Sequence, residues 1–214
     1  MHAEPVVEAH RRDTIATDDA RLKNERIRTM LSATRFQFAG TPLILPALNI
    51  RAITFQAVLI AAAVFLPSMA HAAGAPVGWL LPMHWPVILA GLAYGSRAGL
   101  AVGLLSPIVS LTCSGMPPVP FVFVMMAELG VYGFATGWLR GNLRWPAWLG
   151  VAVALLAGRA VALAIGTMMG GSLAAIVAYA PGTPCAIAQV ALLPLLANWW
   201  VTRENTPARK ESTR

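Results

Sequence analysis

Two ionisable residues lie in surroundings that penalise charge. Glu128 is the only acid between residues 26 and 203, near the middle of an apolar run at 119–139. Arg159 lies near the middle of a second run, at 147–170. Counted from opposite ends of their runs, the two sit at similar depth. A lone charge in an apolar medium is costly, so pairing is expected. Such a pair either ties two helices together or stands on the wall of a polar cavity. His84 lies in Pro82-Met83-His84-Trp85-Pro86, at the start of a further apolar run. It reads either as an interfacial histidine wetted by headgroups or as part of the same wall.

Other chemistry is thinly supplied. A single histidine without a partner cluster is a poor metal site. Cys113 and Cys185 have no CxxC spacing. No metal and no cofactor is expected. The chain has no G-x-x-x-x-G-K-[ST] phosphate loop, so it does not hydrolyse ATP by that route. It has no H-E-x-x-H or G-x-S-x-G, no S4-like arginine ladder and no TVGYG filter. These absences favour a transporter or binder over an enzyme.

The elements that must position these residues are set by composition. Of 214 residues, 57% are hydrophobic and 12% charged, against about 25% charged in soluble domains. Fourteen of the 25 charged residues lie in residues 1–51 and six in 203–214, leaving five for the 151 residues between. The net charge of +7 does not point to nucleic acid, because the basic residues flank apolar spans. A lipid bilayer is the expected surrounding. Six spans are read, roughly 52–70, 80–95, 98–113, 119–139, 147–170 and 185–201. They are read as helices, since barrel strands would alternate apolar and polar residues. The expected fold is an all-α integral membrane protein with a six-helix bundle over 52–201. A basic tail at 1–51 and a short tail at 202–214 complete it. The stretch 18–35 reads as a solvated or membrane-surface helix after a disordered start.

Orientation follows from Lys and Arg. Arg51, Arg97, Arg140, Arg144, Arg203, Arg209 and Lys210 all fall on one side if the N-terminus is cytoplasmic. The opposite loops, about 71–79, 114–118 and 171–184, contain neither residue. The pattern predicts two cytoplasmic termini in a multi-pass protein of the cell (inner) membrane. Trp79 and Trp85 fall near the outer boundary, and Trp138, Trp145, Trp148, Trp199 and Trp200 near the inner one. Ala70-His71-Ala72-Ala73 matches an A-x-A cleavage site, but some 50 residues precede its apolar run, far more than a signal peptide carries.

The outer loops frame a candidate site. They lack charge and carry Pro and Gly, as in Gly115-Met116-Pro117-Pro118. Span three is short and holds Pro107, and short interrupted spans often line binding sites. Concave sites set few polar groups on apolar walls. His84, Met116, Glu128 and Arg159 are the expected lining. Glycines at four-residue spacing, Gly91/Gly95, Gly99/Gly103 and Gly166/Gly170, predict close helix approach. Cys113 and Cys185 sit at the outer ends of spans three and six, where either a disulfide or two free thiols would fit.

Several motifs carry a family resemblance when taken in order. They are Leu81-Pro82-Met83-His84-Trp85-Pro86-Val87 running to Leu89-Ala90-Gly91-Leu92, Ala98-Gly99-Leu100, and Gly103-Leu104-Leu105-Ser106-Pro107. Gly115-Met116-Pro117-Pro118, Glu128-Leu129 with Tyr132-Gly133, and Gly158-Arg159 follow. Over residues 52–201 the chain resembles the substrate-binding S component of energy-coupling factor (ECF) vitamin transporters. The resemblance implies capture of a vitamin-like small molecule from outside. It implies three partners, a transmembrane coupling subunit and two ATPase subunits, that drive release inward. Cobalamin, pantothenate and queuosine precursors are all open as ligands. It also implies a coupling-subunit interface on span one, where Ala57 and Ala61 match the family's alanine spacing and should face outward. The long basic N-terminus departs from many family members. Two other readings stand beside this one: an ion-coupled secondary transporter with Glu128 as proton carrier, and a membrane assembly protein without a ligand.

Overall fold

The computed structural model describes residues 44–170 and 182–211. Most of the 1–51 tail and residues 171–181 of the third outer loop lie outside the described residues. The described residues are helical, with no strand among them. The helices are α1 Ile50–Ala72, α2 Val77–Leu80, α3 His84–Tyr94, α4 Ser96–Ser114, α5 Val119–Gly141, α6 Ala147–Met168 and α7 Thr183–Glu211. Five of them, α1, α4, α5, α6 and α7, are long and apolar enough to cross a membrane.

The second expected span is shorter than read. The single turn α2 ends where the run at 80–95 begins, and a link at 81–83 leads from it into an 11-residue α3. At 1.5 Å per residue α3 rises about 17 Å, little more than half of a hydrocarbon core about 30 Å thick. Prolines explain the break. Pro82 and Pro86 have no N–H to donate, and the residue before each is driven out of helical conformation or into the first turn. Leu81, just before Pro82, takes φ 45°. Despite its length α3 is deeply enclosed, and nine of its residues from His84 to Tyr94 are buried.

Packing centres on α5, which lies against α3, α4 and α6. Two glycines set the closest approach. A Cβ on Gly99 of α4 would overlap the Gly133 carbonyl of α5, and a Cβ on Gly133 would overlap Gly99 in return. Backbones can meet this closely only where neither residue has a side chain. Gly91 and Gly103 make similar approaches, whereas Gly166 faces open space, so only part of the expected glycine spacing serves packing. Val87, Ile88, Leu92, Val102, Leu129, Tyr132, Val151 and Leu193 fill the core between these helices.

The end that carries Arg51, Arg97, Arg140 and Arg203 is tied differently. Leu45 N–H donates to the Ala93 carbonyl, and Arg51 pairs with Glu204 across α1 and α7. Trp138, Trp145, Trp148 and Trp199 are exposed there, and the Arg203 guanidinium lies 4.2 Å over the Trp199 ring. Trp79 is exposed at the opposite end. α7 continues as helix to Glu211, through most of the stretch read as a tail.

Candidate functional site

One face of α5 supplies the floor of a cavity. Phe121, Val124, Met125 and Glu128 recur at three- and four-residue spacing, which puts them on one helical stripe. The stripe faces the N-terminus of α3, the C-terminal halves of α1 and α4, and Arg159 of α6. The space between them measures about 550 Å³. It opens at the end where the 73–83 and 115–118 connections lie, neither of which holds a Lys or Arg. His84, Met116, Glu128 and Arg159, which lie far apart in sequence, all line this cavity.

Glu128 is only 4% exposed, so its charge must be answered locally. Arg159 Nη1 lies 3.0 Å from Glu128 Oε1, the pairing expected from matched depth. The Tyr132 hydroxyl donates to the same oxygen at 2.5 Å. Tyr132 is one turn beyond Glu128 on α5, so the sequence held a signal for it in the four-residue spacing. Gly158 makes room for that ring, since a Cβ there would overlap Tyr132 Cε1. His84 Nε2 stands 3.9 Å from Glu128 Oε1, too far for a hydrogen bond, with its ring centroid 5.1 Å from that of Tyr132.

The wall above is apolar and stiff. Pro67, Pro82, Pro117 and Pro118 line it, with Met83, Met116 and Met125 between them. Prolines carry no N–H, so this rim offers few backbone donors. Pro67 and Pro107 sit inside α1 and α4 without ending them, and Ser68 and Ser106 bond back to the Val64 and Val102 carbonyls. Sequence reasoning did not single out Pro67, Ser68 or His71 of α1. Nothing in an apolar run says which of its turns will border a cavity formed with four other helices.

Cys113 and Cys185 are free thiols, and the Cys185 thiol donates to the Leu80 carbonyl at 2.8 Å. The reason is helix order: α4 packs on α1, α3 and α5, while α7 packs on α2, α3 and α6. Ala57 and Ala61 lie outside the cavity, on the exposed face of α1. No group of three or more His, Cys, Asp or Glu residues able to hold a metal occurs among the described residues.

A family model described as "ECF transporter, substrate-specific component" matches residues 51–202. No curated protein and no solved structure matches the chain.

Proposed function

This chain belongs to the substrate-specific component family of ECF transporters, and from that premise we propose that it captures a vitamin-like micronutrient from outside for ATP-driven uptake. It is a multi-pass membrane protein of a transporter family, not of an enzyme class. The observation that carries the proposal is the cavity that unites His84, Met116, Glu128 and Arg159 at the Lys- and Arg-free end. By the charge rule that end faces outward, which puts both termini in the cytoplasm. In this reading α3 serves as the sixth membrane element, a half-length helix enclosed by longer ones. Broken or short helices are tolerated at membrane depth where protein surrounds them.

A cavity of this volume suits a drug-sized organic molecule. Release inward is assigned to a transmembrane coupling subunit and two ATPase subunits, docking on the stripe that contains Ala57 and Ala61. Small residues one turn apart let a partner helix approach closely. Proton-coupled transport through Glu128 is less favoured, because the carboxylate is engaged by both Arg159 and Tyr132. The decisive experiment is mass spectrometry of small molecules retained by the purified protein. A single retained vitamin-like compound, lost from the Met116→Trp variant, is the expected result. An empty protein whose uptake collapses with an uncoupler but ignores ATP depletion would overturn the proposal.

A further inference from the structure

One hydroxyl of the cavity wall is left for a bound molecule to complete. Ser110 of α4 is 3% exposed and lines the cavity. One turn to either side on the same helix, the Ser106 and Ser114 hydroxyls donate back to the Val102 and Ser110 carbonyls. Ser68 of α1, also in the lining, donates to the Val64 carbonyl. The Ser110 hydroxyl makes no such bond, and no described residue partners it. Access separates it from two other polar groups of the lining. The ring nitrogens of His84 lack partners too, but they are sealed from the cavity, whereas the Ser110 oxygen keeps surface open to it. His71, in the last turn of α1, is exposed, so bulk water completes its ring.

From this we infer that Ser110 is the residue that selects the ligand, and that the ligand carries on one edge an uncharged group of the carboxamide kind, with both an acceptor and a donor. The inference rests on the cavity being the ligand site. A hydroxyl has one hydrogen to give and lone pairs that receive. In the ligand-free protein, water serves both roles. A molecule that fills the cavity expels that water, and its own edge must replace the lost bonds or leave a buried hydroxyl unpaired. Ser68 has spent its hydrogen on the Val64 carbonyl, so its oxygen only accepts. A carbonyl beside an N–H answers this set: the carbonyl accepts from Ser110, and the N–H donates to a serine oxygen. On the facing stripe of α5, Phe121, Val124 and Met125 suit a flat apolar body behind that edge. Glu128 and Arg159 answer each other's charge, so the lining calls for no net charge on the ligand.

The test measures binding of three small probes to the full chain in lipid nanodiscs, with protein-free nanodiscs as blank. Benzamide has the carbonyl and the N–H, benzoate has the same shape with a charge, and toluene has neither polar atom. Ser110→Ala is expected to weaken benzamide about tenfold, the ordinary worth of one buried hydrogen bond. Toluene binding stays unchanged in that variant, which also shows that it folds. Ser110→Thr, which returns a hydroxyl, restores benzamide binding. In the unaltered protein, which needs no variant to fold, the infrared carbonyl band of bound benzamide lies at its hydrogen-bonded position. A band at the apolar-solvent position overturns the role of Ser110 and leaves the cavity standing. So does benzamide binding that Met116→Trp abolishes and Ser110→Ala leaves intact, or a Ser110→Ala loss equal for benzamide and toluene. Benzoate bound more tightly than benzamide overturns the uncharged edge. Binding that Met116→Trp does not weaken, or no binding of any probe, overturns the cavity reading and the role of Ser110 with it.

Discussion

α1 and α5 are both 23-residue helices of similar apolarity, yet one is the hub of the bundle and the other its periphery. α5 contains four glycines, at 130, 133, 137 and 141, with Glu128, Thr136 and Arg140 on its buried side. α1 contains no glycine, and only Ala52 and Ala63 of its residues are buried. Val58, Phe65, Leu66 and Met69 of α1 are exposed instead. Hydropathy therefore marks a helix as membrane-embedded without saying what it packs on. In lipid there is no gain from hiding one leucine against another, so close backbone approach and buried polar bonds select the hub.

The sharpest break of this contrast comes from the buried pair. Arg159→Met leaves the Glu128 carboxylate uncompensated and should cost about 4 kcal/mol, read as thermal or denaturant stability in detergent. Arg159→Met combined with Glu128→Gln should recover most of that loss. A double variant as damaged as the sum of its parts would show that the pair does not act as a unit.

Next in size is the α4–α5 seam. Gly133→Ala places a methyl group into the Gly99 backbone and should cost about 2–3 kcal/mol, the upper part of the range for overpacking. A fully stable Gly133→Ala protein would mean that the two helices can separate freely. Smaller again is Tyr132→Phe, which removes one donor from Glu128 while Arg159 stays in place. About 1.5 kcal/mol is expected, the lower end for a hydrogen bond to a charged group. Gly158→Ala should resemble it, since the new methyl displaces the same ring.

The smallest stability effect belongs to α1. Ala57→Trp adds bulk to an exposed face and should change stability by less than about 0.5 kcal/mol. Energised uptake in cells should nevertheless be lost, with the purified variant still retaining its small molecule. Intact uptake would remove the docking stripe. Loss of both binding and expression would show that α1 is as internal as α5.

Much of this molecule was determined by the chain read residue by residue. Transfer of apolar side chains from water is local and nearly additive, so the long spans, their rough limits and the arginine-bearing end follow from composition alone. The pairing of Glu128 with Arg159 was legible for a related reason: a charge at that depth is too costly to leave alone, and only one opposite charge lay at matching depth. Other features depended on which helices meet. The 11-residue α3 takes its place because longer helices enclose it. Tyr132 reaches Glu128 because Gly158, on another helix, makes room for the ring. That Cys113 and Cys185 are free thiols on helices α4 and α7, which pack on largely different neighbours, depends on helix order, which spacing along the chain does not encode. The unsatisfied nitrogens of His84 emerged only once every neighbour was in place, because hydrogen-bond completion belongs to the whole set of groups around an atom and not to the residue that carries it.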